Sequence, residues 1–226
     1  MKIKICGITH EKEIEYVNIL KPDYIGFVFT KSKREIDPYY AEFLRKKLNP
    51  QIKSVGVFRD NSLKEVDDIL NIVKLDVVQF HGNENFDFIS KFKNSNDKYI
   101  EIWKALSIEN RDLLNKFVSY YITMKDKGII HNLLIDGSNP GSGETYSLEP
   151  LKEILKKECD SYGRNNFKFI LAGGICPENE LEKIKEANPW AIDVSSGVEE
   201  IDSTLGRIKS FNKINDLINK IKEGRC

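Results

Sequence analysis

The sequence predicts an α/β fold, a single (β/α)8 or TIM barrel that spans residues 1–226 as one domain. Three observations support this expectation. Short apolar runs alternate with charged segments of helical period, these runs number eight, and the chain length is near that of a compact barrel. An open doubly wound sheet is the alternative, but its usual Gly-x-Gly-x-x-Gly after the first strand is absent from this sequence.

The predicted strands are the eight apolar runs. They cover residues 3–8, 24–29, 53–58, 76–82, 99–106, 132–137, 168–174 and 190–197. Between them, residues 62–73 place apolar side chains at helical spacing, with Ser62 and Glu65 in the positions of a capping box. The other predicted segments are helices at 11–20, 37–48, 177–187 and 202–223 and a surface loop at 159–166.

The composition is that of a globular protein without a strongly charged partner. The chain has 226 residues, and 35 Lys and Arg balance 35 Asp and Glu. This balance argues against nucleic acid and against a membrane surface as partners, but it allows a local site for a small anion. The sequence shows no signal-peptide pattern, no apolar run of bilayer length and no Cys-x-x-Cys among its four cysteines. We therefore expect reduced thiols, no metal site and a cytoplasmic location.

The loops after the seventh and eighth strands are rich in small residues, at the end of the barrel where active sites form. Gly173 and Gly174 follow the seventh strand, and Ser195, Ser196 and Gly197 follow the eighth. Backbone amides in such loops approach an anion closely, and serines add hydroxyl donors, so the two loops together predict a phosphate site. The alternative is that the glycines only turn each strand toward the next helix.

Cys6 and Asp136 end the first and sixth strands at positions expected to point into the barrel. A carboxyl group there could protonate a ring oxygen, and a thiolate could remove a carbon-bound proton. By position alone, however, a single cysteine is more often a small buried apolar residue, and Asp136 would also suit a helix cap or a turn. Their positions therefore make Asp136 a candidate acid and Cys6 a candidate base, but they leave both roles open.

Other ionisable residues are expected near these two. Lys4, Lys104 and Asp193 should also point inward, where buried charges need partners. Lys4 would lower the pKa of the Cys6 thiol, or would serve only in a structural ion pair. His81 would act as a general base, or would simply hydrogen-bond a loop.

Arg34 is the only arginine in the basic run "KSKR" (31–34), which follows the second strand. Such a run is most often a solvated surface. On an active-site loop, however, a guanidinium group binds a carboxylate through two parallel hydrogen bonds. Arg34 is therefore the candidate in this run for holding a substrate carboxylate.

The motifs along the chain resemble those of one enzyme family. The segments "KICGIT", "GFVF", "KSKR", "VGVF", "VQFHG", "LLID", "GSGET", "LAGGI…PEN" and "DVSSGVE" occur in the order found in the phosphoribosylanthranilate isomerases of tryptophan biosynthesis. The resemblance runs from residue 2 to about residue 200, and "KICGIT" with "DVSSGVE" is its specific pairing. It implies a (β/α)8 barrel that converts N-(5-phosphoribosyl)anthranilate, an aminoaldose, into 1-(2-carboxyphenylamino)-1-deoxyribulose 5-phosphate by an Amadori rearrangement.

The resemblance also implies roles for individual residues. Asp136 matches the family's general acid, which opens the furanose ring to a Schiff base, and Cys6 matches the general base, which takes the C2 proton. Arg34 matches the residue that holds the anthranilate carboxylate. The other expected substrate-binding residues are Gly173, Gly174, Asp193, Ser195, Ser196 and Gly197. No metal or organic cofactor is implied, the partner is the small phosphorylated substrate, and a monomer or a homodimer is expected.

The chain departs from the family pattern in two places. The loop after the sixth strand has Glu144 where a lysine is common, so any help that this lysine gives to an anionic substrate is absent or supplied elsewhere. After Glu199, the segment "EIDSTLGRIKSF" replaces the usual Pro-Gly-x-Lys-Asp and alters the rim near the expected phosphate site. Neither departure affects the expected acid or base.

Two other functions compete with this assignment. Sugar-phosphate isomerases of the histidine pathway usually have paired aspartates at the ends of strands one and five, where this chain has Cys6 and Lys104. A catalytically silent barrel that only binds a phosphorylated ligand would fit the change at Glu144. The presence of Cys6, Arg34 and Asp136 together argues against the silent barrel.

Overall fold

Eight parallel strands close into a barrel in the computed structural model, which describes residues 1–96, 100–124, 129–137, 147–162, 168–177, 184–185 and 187–223. The strands are β1 (Lys2–Cys6), β2 (Tyr24–Val28), β3 (Lys53–Phe58), β4 (Val77–Phe80), β5 (Glu101–Ser107), β6 (Asn132–Asp136), β7 (Phe169–Ala172) and β8 (Ala191–Val194). Each strand pairs with the next one, and β8 closes the barrel on β1 with Asp193 opposite Lys4. The predicted (β/α)8 barrel and its eight strands are confirmed.

Helices surround the barrel, and a short hairpin follows β8. The helices are α1 (Glu11–Leu20), α2 (Pro38–Lys46), α3 (Leu63–Ile72), α4 (Phe86–Ser95), α5 (Arg111–Met124), α6 (Glu149–Tyr162) and α7 (Phe211–Glu223). The hairpin consists of β9 (Glu199–Asp202) and β10 (Gly206–Lys209), after a 3-10 turn at Ser196–Val198. Among the described residues, each of the strands β1 to β6 is thus followed by a helix, and β8 is followed by the hairpin and α7.

Buried side chains form two layers, one on each face of the barrel strands. One set fills the barrel interior, including Tyr24, Trp103 and Leu134, and a larger set lies between the strands and the helices. Both faces of a parallel strand are covered in this fold, so the strand sequences are apolar on both faces. The exceptions to this rule are buried polar residues in the strands, including Lys4, Gln79, Lys104 and Asp193, and packing alone does not explain them.

The predicted capping box begins α3. The Ser62 hydroxyl accepts a hydrogen bond from the Glu65 backbone N–H at 3.3 Å, and the Glu65 carboxylate accepts one from the Ser62 N–H at 2.7 Å. Asp37 caps α2 in a similar way by accepting from the Tyr40 N–H at 3.0 Å, with Pro38 in the first turn. These local signals therefore fix where two helices begin, as the sequence predicts.

The terminal region differs from the prediction of one helix over 202–223. Its first part forms the β9–β10 hairpin, and only Phe211–Glu223 is helical. The Asp202 carboxylate accepts hydrogen bonds from the backbone N–H groups of Thr204 and Leu205, and Gly206 has a φ of 74°. An aspartate that caps a turn and a glycine in the left-handed region stop a helix and allow the chain to reverse.

Three further segments of the sequence analysis extend beyond the described residues, so the structure tests them only in part or not at all. The surface loop predicted at 159–166 is wrong in its first part, because α6 continues to Tyr162. The helix predicted at 177–187 lies mostly outside the described residues, and the loop with Glu144 lies entirely outside them.

Lys104 does not point into the barrel as predicted. Its ammonium group lies 2.9 Å from the Glu84 carboxylate and 5.9 Å from the centre of the Phe117 ring on α5. The alternation of β5 explains this, because Trp103 and Ala105 belong to the barrel interior and the residue between them must face the helices. Lys104 is therefore part of an ion pair outside the barrel.

Candidate active site

Cys6 lies at the C-terminal end of β1, on the interior face and 8% exposed. It pairs with Gly26 of β2, and a side chain at Gly26 would not fit, because a Cβ there would lie 2.8 Å from the Cys6 Sγ and 3.2 Å from the Lys4 Cε. Gly26 thus leaves the space in which the thiol and the lysine stem lie. The predicted inward orientation of Cys6 is confirmed.

Burial sets the charge of the Cys6 thiol. Desolvation raises the pKa of Cys6 above its ordinary value, and the nearby ammonium groups of Lys4 and Lys209 offset only part of that effect. The lowering of the pKa expected from Lys4 is therefore present as a contribution but is outweighed. The thiol form therefore predominates at neutral pH.

Lys4 forms the ion pair expected under the site. Its ammonium group lies 2.8 Å from the Asp193 Oδ2, and both side chains are buried. Burial works against the charge of Lys4, but the charge of Asp193 and its hydrogen bond outweigh burial and raise the pKa of Lys4. The Asp193 Oδ1 is buried without a hydrogen-bond partner among the described residues. Lys4 is therefore a charged donor in the interior of the barrel.

Asp136 ends β6 on the interior face and is partly exposed at the rim. Its Oδ2 lies 3.3 Å from the Nε2 of His81, which follows β4. The Nδ1 of His81 lies 2.9 Å from the side-chain nitrogen of Gln79, and the Gln79 Oε1 accepts from Lys4 at 2.8 Å. Hydrogen bonds therefore connect the lysine beneath the thiol to the carboxyl group across the barrel.

Arg34 reaches over the end of β1 from the segment after β2. Its Nε and Nη2 lie 2.6 and 3.0 Å from the two carboxylate oxygens of Glu199. Gly7, with a φ of 82°, passes under the Arg34 side chain, and a Cβ at this glycine would overlap the Arg34 Cδ. The guanidinium is thus held in a fixed orientation at the rim, by a carboxylate of the chain itself.

Sequence reasoning missed Glu199 and Lys209 as site residues. Lys209 is buried, and its Nζ lies 2.7 Å from the Glu199 Oε1 and 3.1 Å from the Ser195 carbonyl oxygen. Desolvation by burial lowers the pKa of Lys209 despite this carboxylate. No sequence pattern marks Lys209, because an alternating strand would place it on the face opposite Ile208, whereas the structure buries both residues.

The two loops predicted to bind phosphate lie against each other. Gly173 and Gly174 have φ values of 92° and 61°, which favour glycine. A Cβ on Gly197 would overlap the Ile175 carbonyl oxygen, so the β8 loop approaches the β7 loop as closely as a backbone can. This juxtaposition fits the predicted anion site, while Ser196 is exposed at the same place.

Ser195 makes a contact that differs from the one expected. Its hydroxyl donates to the Cys6 carbonyl oxygen at 3.0 Å instead of facing an open loop. In this structure Ser195 therefore connects the end of β8 to the strand that bears the thiol. Within the described residues, no group of His, Cys, Asp and Glu is arranged to hold a metal ion, and no helix is both long and apolar enough to cross a bilayer.

The fold and this rim define a barrel of the TIM class with a thiol and a carboxyl group on inward-facing strand ends, next to two loops of small residues. The chain belongs to the N-(5'-phosphoribosyl)anthranilate isomerase family, whose pattern matches residues 3–220. It is 46% identical to the N-(5'-phosphoribosyl)anthranilate isomerase of Clostridium beijerinckii, over 98% of this chain and 97% of that one. The family that the motifs indicate is thereby confirmed.

Solved structures of the same family resemble the whole barrel. The phosphoribosyl anthranilate isomerase of Thermus thermophilus is 31% identical, with a TM-score of 0.77 and 99% of each chain covered. Another structure, 27% identical with a TM-score of 0.74 over 99% of each chain, is a phosphoribosyl anthranilate isomerase in complex with reduced 1-(o-carboxyphenylamino)-1-deoxyribulose 5-phosphate. That protein binds a phosphorylated compound with an aromatic carboxylate.

Proposed function

We propose that this chain isomerises N-(5'-phosphoribosyl)anthranilate to 1-(2-carboxyphenylamino)-1-deoxyribulose 5-phosphate, a step of tryptophan biosynthesis, with Asp136 as the general acid and Cys6 as the general base. The observation that supports it most is the position of both groups on interior strand ends in a chain of this family. General acid–base catalysis of this kind contributes roughly 10²- to 10⁴-fold to a rate.

Asp136 would act first. Its carboxyl proton moves to the furanose ring oxygen, the bond between that oxygen and C1 breaks, and the lone pair of the anthranilate nitrogen forms the C1=N bond of a Schiff base. Electrons and charge balance, because Asp136 becomes a carboxylate while the substrate nitrogen becomes cationic. The cationic nitrogen then serves as the electron sink for the next step, so the reaction needs no cofactor to accept electrons.

Cys6 would act second. Its thiolate takes the C2 proton, the C2–H electrons form a C1=C2 bond, and the C=N electrons return to nitrogen to give an enolamine. Tautomerisation moves a proton to C1 and leaves the C2 ketone. Because burial raises the pKa of the thiol, this step draws on a minor thiolate population, which the Lys4 and Lys209 ammonium groups favour.

Arg34 would hold the anthranilate carboxylate. Its Nε and Nη2 donate to Glu199, so the substrate would either use the remaining N–H groups or replace Glu199. The pairing supports the assignment in one respect, because it shows that this guanidinium is oriented for two parallel hydrogen bonds to a planar carboxylate.

The two glycine-containing loops would bind the phosphate through backbone N–H groups. Gly173, Gly174, Ser196 and Gly197 supply close backbone approach, as in the usual phosphate site of this fold. Ser195 would contribute chiefly by its backbone, since its hydroxyl donates to Cys6. Asp193 would act indirectly through its ion pair with Lys4. The assembly as a monomer or a homodimer stays a prediction.

Turnover of freshly made substrate tests this function. N-(5'-phosphoribosyl)anthranilate is fluorescent as an anthranilate derivative, and its fluorescence should fall when the purified protein is added. A catalytically silent barrel would instead bind the phosphate ester tightly and leave the fluorescence signal of the substrate to decay at its uncatalysed rate. That result would reject the proposed activity and favour the silent barrel.

A further inference from the structure

A row of polar side chains crosses the barrel interior, from two buried residues to two partly exposed ones at the rim. Lys4 on β1 donates to the Gln79 Oε1 on β4 at 2.8 Å, and the Gln79 side-chain nitrogen lies 2.9 Å from the His81 Nδ1. The His81 Nε2 in turn lies 3.3 Å from the Asp136 Oδ2. Lys4 and Gln79 are 1% and 0% exposed, so the polar atoms of these two side chains depend on their neighbours for hydrogen bonds.

The charge on Lys4 fixes the orientation of the Gln79 amide. An ammonium group has three donors and no acceptor, so only the carbonyl oxygen of the amide can face it. The raised pKa of Lys4 keeps that group protonated. The NH2 end of Gln79 must therefore face His81, and the usual ambiguity between the two ends of an amide does not arise here.

The Gln79 amide in turn fixes the proton on His81. An NH2 group only donates, so the Nδ1 that faces it must be the acceptor nitrogen of the imidazole. In a neutral imidazole the proton then lies on Nε2, and Nε2–H points to the Asp136 Oδ2. Both ring nitrogens are thus engaged, and this arrangement disfavours the role of His81 as a general base.

We propose that Lys4, Gln79 and His81 form a positioning chain, in which Lys4 orients Gln79, Gln79 selects the Nε2–H tautomer of His81, and His81 orients the carboxyl group of Asp136. This inference rests on the proposed role of Asp136 as the acid. Because the Asp136 Oδ2 accepts from His81, the carboxyl group is held in one orientation at the rim. The positioning chain therefore determines how Asp136 presents its carboxyl group to the substrate.

The row of hydrogen bonds is attached to several strands of the barrel, as the positioning of Asp136 requires. Lys4 is also held by Asp193 on β8 at 2.8 Å, so the row joins the adjacent strands β8 and β1 to β4 and, through His81, to β6. Supporting hydrogen bonds of this kind hold a reacting group in its productive geometry, and losing them costs roughly 10- to 100-fold where they have been measured at metal sites.

The tautomer of His81 can be measured directly in the substrate-free protein. Correlation spectra of 15N-labelled imidazoles distinguish Nε2–H from Nδ1–H, and the chain has only three histidines, His10, His81 and His131. His131 is an internal reference, because its Nδ1 accepts from the Ile102 N–H at 3.0 Å. We expect His81 to carry its proton on Nε2. A proton on Nδ1, or on both nitrogens at neutral pH, would overturn the proposal.

The substitution Gln79→Glu tests the consequence for catalysis. A carboxylate only accepts, so the proton of His81 should move to Nδ1, and kcat should fall roughly 10- to 100-fold while KM changes less than about threefold. The matched control is Gln51→Glu, the same change at an exposed residue, which should alter neither the spectrum nor kcat. An unchanged kcat in a protein whose tautomer has switched would contradict the proposal.

Two further measurements distinguish a failure of the positioning chain from a failure of the proposed function. If Gln79→Glu does not fold, Gln79→Met removes both hydrogen bonds at similar length, and the spectrum of the unsubstituted protein still decides the tautomer. Absence of turnover in the unsubstituted protein would reject the proposed function. Normal turnover with the Nδ1–H tautomer of His81 would instead reject only the positioning chain.

Discussion

Two opposing effects determine the pKa of the Cys6 thiol. Two ammonium groups, those of Lys4 and Lys209, favour its thiolate, yet desolvation is the larger effect and the pKa of the thiol is raised. A buried thiol of this kind reacts slowly with general reagents, because access to it is limited and its thiolate population is small. The same site therefore combines chemical protection with the geometry of a base.

This balance predicts the pH dependence of thiol alkylation. Since only the thiolate reacts, and since the folded pKa lies above the ordinary value of 9.0, the alkylation rate of Cys6 by iodoacetamide should rise about tenfold per pH unit from pH 7 to 9. Mass spectrometry of the Cys6 peptide gives the rate at each pH. The slope is the decisive quantity, because burial alone would slow the reaction at every pH. A rate that levels off below pH 8 would show a lowered pKa instead.

Gly26 gives a second prediction at the scale of one residue. Gly26→Ala places a methyl group 2.8 Å from the Cys6 Sγ, so the thiol must move and kcat should fall by roughly tenfold or more. Steady-state kinetics and a thermal melt measure the two effects separately.

The matched control for Gly26→Ala is Gly56→Ala. A methyl group there overlaps the Leu75 side chain, so the protein should lose stability, by about 1–3 kcal/mol, without losing kcat. Equal kcat values for the two variants would mean that Gly26 supports packing alone.

The β9–β10 hairpin brings several charged residues together at the rim of the barrel. It brings Glu199 within hydrogen-bonding distance of Arg34, Arg207 and Lys209, and the Lys209 backbone N–H donates to Glu13 of α1 at 2.6 Å. The hairpin also carries Lys209, whose ammonium group lies 3.1 Å from the Ser195 carbonyl oxygen. A rim that departs in sequence from the family pattern therefore still carries positive charge next to the loops proposed to bind phosphate.

Glu199 makes the stability of this element pH-dependent. Burial opposes its charge, but the hydrogen bond from Arg34 and the charge of Lys209 outweigh burial and lower the pKa of Glu199 to about 2. A lowered folded pKa means that the stabilisation is complete above the ordinary value of 4.5 and is lost as the pH falls toward 2. The free energy of unfolding should therefore decline in this window.

Glu199→Gln isolates that contribution. At pH 7 the variant should unfold more easily than the unsubstituted protein, and the difference in unfolding free energy should shrink between pH 5 and pH 2, where the wild-type carboxylate becomes protonated. Urea titrations at a series of pH values measure it. The control is Glu200→Gln at the exposed neighbouring residue, which should show no such trend. A constant difference across the window would contradict the assigned pKa.

At the scale of the whole molecule, sequence patterns predict what is local. The alternation of "IKIC" places Lys4 and Cys6 on one face, and the existence and order of all eight strands follow from the apolar runs, although several strands end earlier than predicted, as β8 does at Val194 instead of residue 197. The prediction placed Lys104 on the wrong face of β5. The strand is long and Lys104 lies between buried residues, so the sequence does not indicate which face is the interior.

Long-range pairing accounts for what the sequence could not predict. Lys4 meets Gln79, 75 residues away, and Asp193, 189 residues away, and Arg34 meets Glu199 across 165 residues. No periodicity in one segment encodes such partners, because barrel closure decides them. The candidate acid and base could be named from strand ends and a family resemblance, whereas their supporting hydrogen bonds needed the fold.

The central claim is that Cys6 is the base of an Amadori rearrangement within this barrel. The most direct test is kcat for Cys6→Ala on N-(5'-phosphoribosyl)anthranilate, with Cys159→Ala as the matched change at another cysteine of the chain. We predict that kcat falls roughly 10²- to 10⁴-fold while KM stays within about threefold, and that the control keeps its full kcat. A folded Cys6→Ala protein with a kcat within about threefold of the unsubstituted chain would contradict the account.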